Sequence, residues 1–319
     1  MSSVAEAGRP VSRTIQSSAL RRFARRWAMQ IGVFALLVAV WFVFLNTATR
    51  TFTDYRIYSS LMISTPYFGL VAIPLTLVVI TGEIDLSFPS IMPFGMMAYA
   101  LVWGATGNVY LGFAACLLAG LFAGLINGLI IVRLGIPSLV TTIGTQFLWA
   151  GLVILITNAQ GIGLTPVKET ILYPLFVGRI GGLVPMQFLW MILFGIGGWF
   201  LLNRTRFGAH VFLTGDNVES ARLMGVDVGR TKILVFTLVG VVAAFAYFVQ
   251  SVDLLFFWPT GGQGYLMNTL ASVFLGGTSV FGGMGSILGT FISCFIIAAI
   301  NPGVVASGWL SYWSQVIYG

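Results

Sequence analysis

The chain is written in long apolar blocks separated by short polar ones, and that pattern predicts its main elements. Apolar windows fall near residues 28–46, 58–80, 89–106, 110–132, 137–157, 184–203, 232–252, 264–282 and 285–304. Most approach or exceed the ~20 residues a helix needs to cross a bilayer. None alternates apolar and polar positions as the strand of a membrane barrel would. The fold class that follows is an all-α polytopic integral membrane protein with about nine to ten transmembrane helices, some kinked or broken. Pro66 and Pro74 lie inside the second window, where a missing backbone donor favours a kink or break. The run from Gly261 to Thr290 carries nine glycines. It reads as close helix packing, with a re-entrant, pore-lining turn as the alternative.

Charge sets the orientation. The windows are flanked by sixteen Lys and Arg residues in all. With the N-terminus in the cytoplasm, twelve fall inside: six before the first window, then Arg133, Arg204, Arg206, Arg222, Arg230 and Lys232. Arg50, Arg56, Lys168 and Arg179 remain outside, which follows the positive-inside rule. The net charge of +7 is therefore a topology signal and not a nucleic-acid one. Arg21, Arg22, Arg25 and Arg26 precede a first apolar run too long for a usual signal peptide and without an A-x-A site. Residues 1–27 thus read as a cytoplasmic basic segment, and 28–319 as one transmembrane domain with a cytoplasmic loop at about 204–231.

Composition narrows the chemistry. Charged residues are 8% of 319, against about a quarter in soluble domains, and mean hydropathy is +0.96. Cys116 and Cys294 lie far apart inside apolar runs and read as packing residues. With one histidine, His210, they offer no usual metal-ligand spacing, so no metal or resident cofactor is expected.

The long inner loop is LNRTRFGAHVFLTGDNVESARLMGVDVGRTKIL, and its centre predicts a short helix. Asp216 is the expected N-cap, Glu219 completes a capping box, and Gly225 is the C′ stop. Val218, Ala221, Arg222 and Gly225 would share one side. Such a helix suits docking of a cytoplasmic partner, or is an ordinary amphipathic surface helix. No G-x-x-x-x-G-K-[ST] phosphate loop occurs, so any ATP-driven work needs another chain.

Four separated motifs give the chain a family likeness. They are TGEIDLS (Thr81 to Ser87), GLINGLIIVRLGIPSLVTTIGT (Gly124 to Thr145), TGDNVESARLMGVDVGRTKIL (Thr214 to Leu234) and GGTSVFGGMGSILGT (Gly276 to Thr290). Together, from about Leu61 to the end, they resemble the permease subunits of ATP-binding-cassette importers for ribose, galactose, xylose and similar sugars. That group includes autoinducer-2 and nucleoside permeases. The resemblance implies a bacterial inner-membrane permease pairing with a second permease subunit, identical or related. Its other implied partners are cytoplasmic ATPases holding ATP and Mg, and an extracytoplasmic binding protein that delivers a small sugar-like solute. It implies that Gly215, Asp216, Asn217, Ser220, Ala221, Arg222 and Gly225 belong to the ATPase-docking loop. Gly82, Asp85, Ser87, Gly276, Gly277, Gly282 and Gly283 match its structural motifs. This chain departs at Glu83 for a glycine, Phe88-Pro89 for a V-G pair, Ser220 for an alanine and Met284 for a basic residue. The family continues through one more span, so SYWSQVIYG is expected to fall just short of a last helix.

Asn127, Thr141, Thr142, Thr145, Gln146 and Asn268 are uncharged polar residues within apolar runs. They are candidates for lining a solute path, or for gluing helices together. A rival reading makes the chain a proton- or ion-coupled transporter with Glu83, Asp85 and Asp253 as relay carboxylates. A permease of the same architecture for nucleosides, autoinducer-2 or branched-chain amino acids is a further alternative. The orientation puts Glu83 and Asp85 at the inner end of a span and Asp253 at an outer end. Asp85 or Ser87 would then cap the next helix, with Pro89 in its first turn and Glu83 as an exposed turn residue.

Overall fold

Long apolar segments in lipid must satisfy every backbone group internally, and this chain does so with helices. The computed structural model describes residues 12–318, with side chains from Met29 to Tyr318. The predicted basic segment 1–27 therefore lies outside the described residues up to residue 11, and outside the described side chains beyond it. The helices are α1 (Ser12–Thr47), α2 (Thr49–Phe52), α3 (Tyr55–Ile80), α4 (Phe88–Thr106), α5 (Val109–Arg133), α6 (Ser138–Thr157) and α7 (Leu172–Val177). They continue as α8 (Met186–Arg204), α9 (Arg206–Asp216), α10 (Val218–Leu223), α11 (Val228–Leu254), α12 (Leu266–Leu275), α13 (Ile287–Ala306) and α14 (Trp313–Tyr318). Four two-residue strands, β1 (Ile162–Gly163), β2 (Arg179–Ile180), β3 (Val184–Pro185) and β4 (Phe256–Phe257), tie outer loops together, β1 with β4 and β2 with β3.

Among the described residues, eight helices are long and apolar enough to cross a membrane. They coincide with eight of the nine predicted windows. The exception is 264–282. There the chain leaves α11 and pairs at β4. It then turns back into the bundle, where Gly262 abuts the start of α4 at Met92. α12 has ten residues and covers about 15 Å, half of a ~30 Å hydrocarbon core. The predicted full span is thus a half-helix, because glycines at 261, 262 and 264 before it and 276 and 277 after it break the helical pattern on both sides.

α3 and α11 form the centre. The spanning windows of α3 and α11 are 89% and 67% buried, against 28% for α6 and α8, whose outer faces carry large exposed apolar residues such as Phe147 and Ile196. α3 continues through Pro66 and Pro74 where the sequence predicts a kink or break. Its neighbours enclose it on every side, and packing holds a helix that proline would weaken alone.

Close approach is provided by small residues on α5. Gly120 lies against Gly240, Gly124 against Phe236 and Thr237, and Gly128 against Ile233, so α5 and α11 meet backbone to backbone. Cys116, on the same ridge, and Cys294 are buried free thiols filling such contacts. α1 and α13 run in parallel, joined at one end by Gln30 and Ser286 and at the other by Thr47 and Ser307.

Candidate functional site

The TGEIDLS segment is the hub of the inner end. Residues Glu83 to Ser87 form an irregular link between α3 and α4, and Glu83, Ile84 and Ser87 are each held by a different helix. The Ile84 amide donates to Ser138 Oγ (3.2 Å) at the start of α6. The Ser87 hydroxyl accepts from Asn127 Nδ2 of α5 (2.7 Å) and donates to Asp85 Oδ1 (2.6 Å), which also accepts the Ser87 amide (2.7 Å). Ser87 occupies the N-cap position of α4 without a capping bond of its own, and Asp85 takes the capping role through this turn. Pro89 sits in the first turn, as expected.

Asp85 is fully buried, and no hydrogen bond reaches its Oδ2 among the described residues. Desolvation raises its carboxyl from 3.8 to about 6, against the lowering effect of bonds from the Ser87 hydroxyl and the backbone of Ser87 and Phe88. A folded-state pKa above the unfolded one means the contribution to stability is fully present below about pH 3.8. It is lost as pH rises through 6, by on the order of 2–3 kcal/mol. The melting temperature of Asp85→Asn minus that of the native protein should therefore climb between pH 4 and 7; a flat difference would refute this.

Glu83 is not the exposed turn residue that its sequence neighbourhood suggests. It pairs with Lys232 near the start of α11, and the two side chains are 14% and 18% exposed. The pair lines a cavity of about 300 Å³ that also receives Val132 from the last turn of α5, Pro137 from the α5–α6 turn, and Val218 and Arg222 from α10. Removing one partner leaves a mostly buried charge, so Glu83→Lys should cost about 2 kcal/mol or more, and adding Lys232→Glu should restore most of it. Thermal melting of both variants measures this; no recovery in the double variant would exclude the pair.

The long inner loop forms a short helix as predicted and differs in its caps. Asn217, not Asp216, is the N-cap of α10: its Oδ1 accepts the Ser220 amide (2.8 Å). Asp216 is instead the last residue of α9, and the extended backbone a cap needs falls at Asn217. The capping box does not close, because Glu219 turns to Arg222 (3.6 Å) on the exposed surface. Gly225 stops the helix at φ 81°, with Gly225 N–H to Arg222 O (2.9 Å) and Val226 N–H to Ala221 O (3.0 Å), the paired bonds of a Schellman ending. Ala221 and Val226 are buried with Val228, whereas Arg222 points outward. The expected common face therefore splits between packing and display. Ser220, Leu223 and Met224 are exposed, Leu223 at 84%.

The glycine motif joins the inner loop to the hub. The Gly283 amide donates to the Ile80 carbonyl (2.9 Å) at the end of α3. Gly215 packs on that carbonyl and on Gly283, and Gly282 packs on Gly82 and Gly215. Gly276 lies against Gly289 and Thr290. Gly277 meets Met29 of α1.

The path candidates divide by burial. Asn127 is buried and holds Ser87. Thr141, Thr142 and Thr145 are buried, with their hydroxyls turned to nearby carbonyls at Ile136, Ser138 and Thr142 respectively. Gln146 and Asn268 are half-buried. Asp253 is held by Tyr67 Oη (2.6 Å) and Gln187 Nε2 (3.0 Å). It stands 21 residues along α11 from Lys232, about 31 Å from the pair with Glu83, so the three carboxylates form no proton relay. No group of three or more His, Cys, Asp or Glu side chains lies together among the described residues.

Comparison with known proteins decides the family. Residues 57–319 match the family described as branched-chain amino acid transport system / permease component. The chain is 30% identical over 302 residues to the ribose import permease protein RbsC of Escherichia coli (strain K12), covering 94% of this chain and 93% of that one. The chain belongs to the permease family of sugar-type ATP-binding-cassette importers. Its relatives include the autoinducer 2 import system permease protein LsrC of Klebsiella pneumoniae, 33% identical over 91% of this chain and 83% of that one. LsrC of Photorhabdus luminescens is 34% identical over 78% and 74%. No solved structure matches this permease. It is a multi-pass transport subunit of the bacterial inner membrane. Sequence reasoning missed Lys232 as the partner of Glu83, and no local signal could have found it across 149 positions.

Proposed function

We propose that this permease carries a monosaccharide or related polyol inward along an interface with a second permease subunit, identical or related. An extracytoplasmic binding protein delivers the solute. Two separate ATPase subunits, holding ATP and Mg, dock at Gly215–Gly225. The observation that carries the docking is α10: a helix capped at both ends, with Leu223 and Met224 84% and 61% exposed, on the end rich in Arg and Lys. A soluble partner that buries those two side chains gains apolar contact on a rigid element. The substrate class is supported by the ribose relative, which spans nearly the whole chain. Gln146 and Asn268 are the path candidates with surface left to offer a solute. ATP closure acts by biasing two arrangements of this bundle, because the permease carries no phosphate loop of its own.

Proteoliposomes holding the permease, its ATPase and its binding protein should accumulate labelled ribose only with ATP. Uptake should survive a proton uncoupler while ATP is held constant. Uptake without the ATPase, or collapse under the uncoupler, would overturn the reading. Autoinducer 2, a nucleoside and leucine are the competitors that test the sugar assignment.

A further inference from the structure

Three cavities lie around the first half of α13, one with a polar lining and two with apolar linings. The first, about 370 Å³, is polar: Gln30 of α1, Asn203 and Arg204 at the last turn of α8, and Ser286 at the start of α13, with Trp199 at its edge. The second, about 460 Å³, shares Trp199 and Leu288 with the first. It continues between α8 and α13 past Ile192, Gly195, Ile196 and Phe291, and is apolar. The third, about 550 Å³, lies between α1 and α13, shares Phe291 with the second and is lined by Phe34, Val38 and Trp41 among others. The polar pocket and the first apolar groove thus share Trp199 and Leu288 as walls, and the second groove shares Phe291 with the first.

The polar pocket favours an anion. The Arg204 guanidinium lies 5.6 Å from the centre of the Trp199 ring, which orients it, and among the described residues no carboxylate lies within 4 Å of it. Ser286 caps α13 by accepting the Gly289 amide (3.2 Å), so the positive end of a twenty-residue helix faces the same pocket. Gln30 Nε2 reaches Ser286 Oγ (3.4 Å), and its buried Oε1 has no partner, leaving an acceptor for a hydroxyl. The orientation places the pocket at the cytoplasmic headgroup level, since α8 ends and α13 begins on the side of the docking loop. Trp199 stands where interfacial aromatics stand in membrane proteins.

From this we propose that the permease holds one anionic glycerophospholipid of the cytoplasmic leaflet. Its phosphate sits against Arg204, its headgroup hydroxyls against Asn203 and Gln30, and its acyl chains in the grooves beside α13. A free phosphate would use Arg204 but not the grooves; a zwitterionic lipid would fill the grooves but bring its own cation to Arg204. Arg204 is followed directly by Thr205, whose hydroxyl caps α9 by accepting the Gly208 amide (3.2 Å), so the lipid would abut the root of the docking loop. The proposal does not depend on which solute is carried or on the docking assignment.

Native mass spectrometry of the full chain in mixed micelles with equal phosphatidylglycerol and phosphatidylcholine tests it. One phosphatidylglycerol per chain is expected, preferred roughly tenfold or more over phosphatidylcholine, as one charge-assisted arginine contact predicts. Arg204→Ala should remove the preference and Arg204→Lys should keep part of it. Gly195→Leu, whose side chain enters the groove beside Phe291, should weaken both lipids alike. Excess inorganic phosphate should not displace the lipid. Equal retention by native protein and Arg204→Ala, no preference between the lipids, or full displacement by inorganic phosphate would overturn the proposal. Unchanged circular dichroism of the variants shows that folding is not what is being read.

Discussion

Arg222→Glu, or Gly225→Phe, is expected to reduce ATP-coupled uptake to background while leaving a folded, inserted permease. Arg222 is 63% exposed at its side chain, and its pair with Glu219 at 3.6 Å is a surface contact contributing under about 1 kcal/mol. Folding therefore barely registers the change, whereas an ATPase docked on α10 as proposed would meet a reversed charge. Gly225 acts differently. Its φ of 81° is a conformation that costs other residues about 1–2 kcal/mol, so a bulky side chain frays the end of α10 and misplaces Leu223 and Met224. The checks are uptake and ATPase stimulation in proteoliposomes, with melting temperature as the folding control. Normal uptake by both variants would remove α10 from the coupling path.

Gly215→Val should be strongly destabilising. A Cβ at this position would fall inside the shell of the Ile80 carbonyl oxygen and 2.6 Å from the Gly283 amide nitrogen. Those two groups are hydrogen-bonded to each other at 2.9 Å, so nothing there can rotate away. The end of α3, the end of α9 and the α12–α13 loop must separate. The expected cost exceeds about 3 kcal/mol, the upper end of ordinary overpacking. The melting temperature should fall by about 5–10 °C. Gly104→Ala is the comparison, since nothing lies within 4 Å of the added Cβ. Equal melting of the two variants would show that the junction carries no load.

Much of this was readable in one dimension. Eight spans and the stop at Gly225 follow from apolar length and one glycine, because each is a local transfer or backbone preference. The cap of α10 marks the boundary. Asp216 and Asn217 are adjacent and equally able to cap, and only the backbone angle at Asn217 separates them. The predicted span at 264–282 failed for a related reason. Composition cannot distinguish a glycine-rich helix that crosses from one that re-enters, and the choice fell to the close packing of Gly262 on α4.

What tertiary structure alone decided are the partnerships between distant segments. Glu83 finds Lys232, Asn127 finds Ser87, and Gly283 finds the end of α3. Hydrophobicity is a property of each residue and survives in the sequence; a hydrogen bond or ion pair belongs to two residues and exists only once the chain has brought them together.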